Sequence, residues 1–155
     1  MLTRRDMPRR CEHAILAGML HDRDYVMRLV REFSSFLVRL LTRHREEGGE
    51  STLVDLDEAA GRFVGMSMPL LELLPVGQLR MMLSTTGALA TDRAYAAGML
   101  LEARGRLASE AGDEAHAEEC YRKALVLLLD AEREFGGFLN DEHERAAQRL
   151  TELLG

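Results

Sequence analysis

The chain has 155 residues, 46% of them hydrophobic and 30% charged, with a formal charge of −6. That length suits one ordinary domain burying about 70% of its unfolded surface, and the mix excludes both a disordered and a membrane-embedded chain. The acidic balance argues against general nucleic-acid binding, which rests on neutralising phosphates.

The apolar residues are mostly Leu, Ala, Val and Met, with five Phe, three Tyr and no Trp, a composition that favours helix over strand. Residues 1–45 hold ten Arg against five acids, a balance of +5, while residues 46–155 hold ten basic groups against twenty-one acids, a balance of −11. The basic third therefore suits an acidic partner, the acidic remainder of its own fold, or a second copy. Cys11 and Cys120 form no CxxC pattern and no disulfide framework, so a reduced, cytoplasmic setting is expected. No uncharged run approaches the roughly 20 apolar residues that cross a bilayer, and no membrane role is expected.

Residues 1–20 pair four Arg with the short apolar run "AILAGML". Glu12 and His13 interrupt that pattern, and "HDRD" follows where a secretory leader needs small residues. The segment reads as an N-terminal extension, with Met19 an alternative start, ahead of a single helical domain over 21–155.

From Asp22 or Asp24 to about Glu46, Val26, Val30, Phe33, Leu37, Leu40 or Leu41, and His44 recur at helical steps. Asp24 suits a helix start, and "EEGGE" stops the helix at Gly48-Gly49. The opposite stripe carries Arg28, Arg31, Ser35, Arg39 and Arg43. Evenly spaced arginines suit an acidic helix, a phosphate backbone or, least of all because the apolar face is needed for the core, a membrane surface. The plain alternative is a solvated face partnered by Glu32 and Glu46. Arg28, Arg31, Arg39 and Arg43 are the candidate interaction surface.

A second helix is expected over about 52–64, capped by Ser51 or by the box-like Asp55 and Glu58. Pro69 and Pro75 each suit the first turn of a short helix, giving "PLLELL" and "PVGQLRMMLS". Met66, Met68, Met81 and Met82 cluster there and suit either core filling or an adaptable binding surface, which makes this region or the arginine stripe the place for a small apolar or anionic ligand. Longer helices are expected from Ala90 to Glu110, from Asp113 to Phe135, and from Asn140 or Asp141 to Leu154. No stretch alternates strictly, so no sheet is expected.

The last long helices carry a packing pattern. Gly105 stands late in the first, and Ala117, Tyr121 and Ala124 follow in the second at steps of four and three. This spacing resembles a tetratricopeptide hairpin, in which small residues mark a close crossing. Leu101, Ala108 and Leu129 depart from that repeat, and no neighbouring copy accompanies the hairpin, whereas a solenoid needs about three repeats to form a groove. It is expected to act as a packing unit.

"DYVMRLVREFSSFLVRLL" (24–41), with "MSMPLLELLPVGQLRMML" (66–83) and the hairpin at 94–130, resembles a family of small bacterial proteins of unknown function. Its members open with an Asp-Tyr-Ile/Val-Met/Leu-Arg helix and begin just before it, which implies Met19 as the start. The resemblance implies a tetratricopeptide-like helical fold and brings no catalytic residues.

Chemistry is sparse. His116 and Cys120, with Glu119 beside them, sit one turn apart, but zinc needs three or four ligands and no second His/Cys pair supplies them. His21, Asp22 and Asp24 suit a general base or metal loop, or simply a helix start. No phosphate-binding glycine loop or nucleophile elbow is present. The reading is an all-α array of five to seven helices with a tetratricopeptide-like hairpin near the C-terminus. No cofactor, metal site or catalytic residue is expected. The expected function is a non-enzymatic protein–protein interaction or self-association module; a small-ligand-binding helical domain is the alternative, and a divergent enzyme the third.

Overall fold

The structure, a computed structural model, describes the backbone of residues 9–155 apart from Gly49, and side chains from Arg23 onward. Seven α-helices follow in order: α1 (Arg9–Glu47), α2 (Glu50–Ala59), α3 (Met68–Leu73), α4 (Val76–Met82), α5 (Thr91–Glu110), α6 (Glu114–Phe135) and α7 (Asp141–Leu154). The expected all-α array is present.

The first helix starts earlier than expected. It begins at Arg9, so Asp24 lies inside it rather than at its cap. An Asp is only a weak helix-start signal, and "HDRD" contains no Gly or Pro to break the run. Gly48 ends the helix as expected, at φ +80° with its N–H on the His44 carbonyl at 2.9 Å. Val30, Phe33, Leu37 and Leu40 form its buried stripe.

Ser51 does not cap α2; its hydroxyl donates back to the Gly48 carbonyl at 3.4 Å, and Asp55 instead pairs with Arg43. The last part of the expected second helix, Ala60–Val64, widens into a π-turn closed by Gly65 at φ +80°. The wider turn keeps Ala59, Ala60 and Val64 all buried. Pro69 sits in the first turn of α3 as expected, but Pro75 falls one position earlier, at the N-cap of α4. Ser67 and Asp57 together satisfy the N–H groups of Leu70 and Met68 at the start of α3.

The expectation of no sheet needs one correction. Ser84–Thr85 (β1) and Ala88–Leu89 (β2) pair antiparallel around Thr86 and Gly87, both at positive φ. Two central residues with φ > 0 define the tight turn that twisted hairpins favour. The ribbon is too short for alternation to reveal it.

α5 is the centre of the molecule. From Ala94 to Ala103 every residue is buried, because α1, α6 and α7 and the π-turn all pack on it. Against α6 the approach is close. A Cβ on Gly105 would stand 2.5 Å from the Tyr121 ring, and one on Gly98 would stand 2.8 Å from Leu128. A side chain at either position would force Tyr121 or Leu128 to shift, so glycine is favoured at both crossings.

Chain directions follow from four contacts. Ser34 meets the Tyr95 hydroxyl at 2.7 Å and His44 meets Glu110 at 3.2 Å, so α1 runs parallel to α5. Arg149 reaches Glu102 at 2.9 Å from the C-terminal half of α7, while His143 stacks by Tyr95 at its start, so α7 runs parallel as well. α6 runs antiparallel.

Gly→Ala in an exposed helix stabilises by about 1 kcal/mol. Gly105→Ala should instead destabilise by about 1–3 kcal/mol in urea titrations, through overpacking. Tyr121→Leu should recover part of that loss, giving a non-additive double-mutant cycle. A neutral or stabilising Gly105→Ala would contradict the close crossing.

Candidate functional site

The four arginines of the candidate surface separate into two groups. Arg43 reaches α2 and pairs with Asp55. Arg28, Arg31 and Arg39 stay exposed and, among the described residues, make no ion pair. Arg28 lies over the Tyr25 ring at 5.3 Å, and Arg31 donates to the Met27 carbonyl at 3.4 Å. Glu32, expected as a partner of the stripe, pairs instead with Arg62 at 3.1 Å. The side chains of His21 and Asp22 lie outside the described residues.

The methionines also divide. Met66 and Met68 belong to the core, whereas Met81 is 77% exposed and Met82 is 49% exposed. Leu73, also 77% exposed, and Leu70 stand exposed on α3, the short helix just before α4. Only Leu74 and Pro75 separate the two short helices. Arg80, the cation of this corner, is already held by Asp130 of α6 through two hydrogen bonds, one of them 2.9 Å. The corner is therefore apolar and its charge is spoken for.

His116 and Cys120 acquire a partner that their spacing did not reveal. Glu72, at the end of α3, accepts at 2.7 Å from His116 Nε2, and Cys120 Sγ lies 3.8 Å from the same nitrogen. The three ligand atoms lie within 4.8 Å of one another, close enough to touch one ion. However, Arg104 also holds Glu72 Oε1 at 2.7 Å. Lys123, the single lysine and itself buried, donates to the backbone carbonyls of Leu71 and Glu72. A divalent ion here would meet two fixed cations and a carboxylate oxygen already shared by His116 and Arg104. The arrangement caps the end of α3, where carbonyls lack helical partners and positive charge is favoured.

Burial, reinforced by the negative charge of Glu72, pushes the Cys120 thiol from its ordinary 9.0 up to about 11. At neutral pH it is a protonated, buried thiol.

A cleft between α1, α5 and α7 is the best-formed concave feature, with a volume of about 280 Å³. One face of α5 supplies Met99, Glu102, Ala103 and Arg106, and α1 supplies Leu37, Val38, Leu41 and Arg45. Because α1 and α5 run parallel, Arg45 lies at the same end as Arg106. Arg149 of α7 completes the charged end. Glu102 is 3% exposed. Its Oε1 accepts from Arg106 at 2.7 Å and from Arg149 at 2.9 Å, while its Oε2 is buried without any partner. Sequence reasoning missed this group because Glu102 and Arg149 are 47 positions apart. His143 was also missed; it is a core histidine on the Leu128 carbonyl at 2.8 Å.

No helix among the described residues is long and apolar enough to cross a membrane. No protein-family model, curated protein or solved structure matches the chain.

Because the unfolded thiol ionises first, it binds fewer protons than the native one between pH 9 and about 11. Stability should therefore be unaffected by Cys120 below pH 9 and fall as pH rises through that window. In a Cys11→Ser background, the folded protein should react with a thiol reagent at neutral pH far more slowly than the urea-unfolded chain. Equal rates would show Cys120 to be accessible and ionised.

Proposed function

We propose that this protein is a non-enzymatic association module that binds a protein surface, a second copy of itself or another chain. The observation that carries the reading is the α3–α4 corner, where Leu73 and Met81 are each 77% exposed and Leu70 and Met82 are exposed too. Scattered apolar residues on a surface are ordinary, but four exposed long aliphatic side chains on two successive short helices are a local concentration of the kind that marks interaction sites. Two of them are methionines, whose unbranched side chains repack against varied partners. The nearest cation is taken by Asp130, so apolar contact rather than charge governs recognition there.

The exposed Arg28, Arg31 and Arg39 give a second surface, complementary to acidic partners. Residues 46–155, at −11, offer one such partner in a second copy. The resemblance of the opening helix to small bacterial helical proteins supports the same reading, since it carries architecture without catalytic residues.

Four such side chains fall short of the roughly 800 Å² per partner of a standard interface, so weak association is expected, with a Kd of about 1–100 µM. Sedimentation velocity over a concentration series should show self-association at low salt, or a defined complex once a partner is supplied. The Leu73→Glu, Met81→Glu double variant should weaken either at least about tenfold, a loss of about 1.4 kcal/mol, with unchanged melting temperature. A chain that stays monomeric, forms no complex and behaves like the double variant would refute the proposal.

A further inference from the structure

We propose that the cleft between α1, α5 and α7 binds a small amphipathic zwitterion, of which an α-amino acid with an apolar side chain is the simplest case. This site is separate from the α3–α4 corner and does not depend on the association reading.

Three features of the cleft define the ligand. The first is an unfilled acceptor. Glu102 is a buried carboxylate whose Oε1 takes donors from both Arg106 and Arg149, yet Oε2 has none. It is the one buried side-chain oxygen or nitrogen among the described residues left without a partner. Native interiors rarely leave such a group unpaired. Glu102 lines the cleft, so a donor seated there reaches the buried Oε2 once the partly exposed Arg106 or Arg149 side chain shifts.

The second is surplus positive charge at the same end. A guanidinium carries five N–H donors in a planar fork. Arg106 donates to Glu102 from Nη2 alone, which leaves donors over, and Arg45 makes no ion pair among the described residues. Arg45, Arg106 and Arg149 outnumber Glu102 and Glu142 among the lining groups. The imbalance favours an anionic head.

The third is the apolar wall. Leu37, Val38 and Met99 line the cleft, and Met99 lies seven residues before Arg106 on α5. Seven residues of helix rise about 10 Å, which sets the distance from apolar wall to charged end. A volume of about 280 Å³ lies at the small end of ligand pockets, which suits a compact molecule such as an amino acid.

Neither half of the head group satisfies the site by itself. A bare carboxylate would pair with the arginines but leave Oε2 unpartnered and place a second negative charge beside Glu102. A bare amine would serve Oε2 but stand among three guanidinium groups. An adjacent ammonium and carboxylate meet both demands, and the side chain then lies along Leu37, Val38 and Met99.

Calorimetry on the full chain tests this with leucine, methionine and phenylalanine as zwitterionic probes. Isovalerate keeps leucine's apolar body and carboxylate without the ammonium, and isoamylamine keeps the ammonium without the carboxylate. At least one amino acid should bind and raise the melting temperature, because it prefers the folded state. Isovalerate and isoamylamine should each bind at least about tenfold more weakly than leucine. Val38→Trp, at an exposed lining position, should abolish binding without lowering the melting temperature of the free protein. Glu102→Gln should weaken leucine binding but not isovalerate binding. No binding by any of the three amino acids, equal binding by isovalerate, or undiminished binding to a folded Val38→Trp variant would each overturn the proposal.

Discussion

The close crossing of α5 and α6 is the constraint on which the rest of the molecule depends. Gly98 and Gly105 lie seven residues apart, two turns along one face, and each admits a large side chain of α6 where a methyl group would collide. Two contacts that tight fix both the axial register and the separation of the helices. Interiors pack like crystals rather than liquids, so a shift at either crossing would be felt across the core. With α6 seated on one side, α5 still has bare apolar surface on the others. That surface is what α1, α7 and the π-turn of residues 60–64 cover.

Covering α5 with helices parallel to it creates both the polar links of the core and the cleft. Tyr95, fully buried at the start of α5, gives its hydroxyl a partner in Ser34 of α1 and stacks on His143 of α7. Its own phenol is pushed up in pKa, chiefly by burial, so it stays neutral there. These contacts gather the three helices at one end. Further along, the same face of α5 turns from Met99 to Glu102 and Arg106, and apolar contact gives way to charge. The cleft opens where apolar packing gives out.

The parts of this arrangement that were legible in the sequence are those encoded locally. Gly105, Ala117, Tyr121 and Ala124 announce a close crossing because helical periodicity places small and large residues on facing stripes. Gly48 and Gly136 mark helix ends because only a left-handed residue closes them cheaply, and both adopt φ near +80°. Asn140 caps α7 on the His143 N–H at 2.8 Å, for the same local reason. Features set by tertiary contact were not legible. Glu72 and His116 are 44 positions apart, and no spacing rule connects them. The start of α1 was misplaced because Asp24 has the chemistry of a cap without being obliged to serve as one. The Thr86–Gly87 ribbon escaped notice since two paired residues per strand leave no period to detect.

The ion triad of Arg106, Glu102 and Arg149 bears most directly on function. Removing charges from water is costly, and a buried ion cluster is commonly no more stable than apolar residues of the same volume. For the fold alone, a leucine at position 102 facing shortened neighbours would serve α5 as well as a glutamate does. What the triad provides instead is orientation. One carboxylate oxygen holds two guanidinium groups at fixed directions on the rim of a cleft, and the other oxygen is buried without a partner. Donors already held by a shared carboxylate lose less entropy on binding than mobile side chains would. A charge arrangement that gives the fold so little has its most economical explanation in what it presents to the cleft.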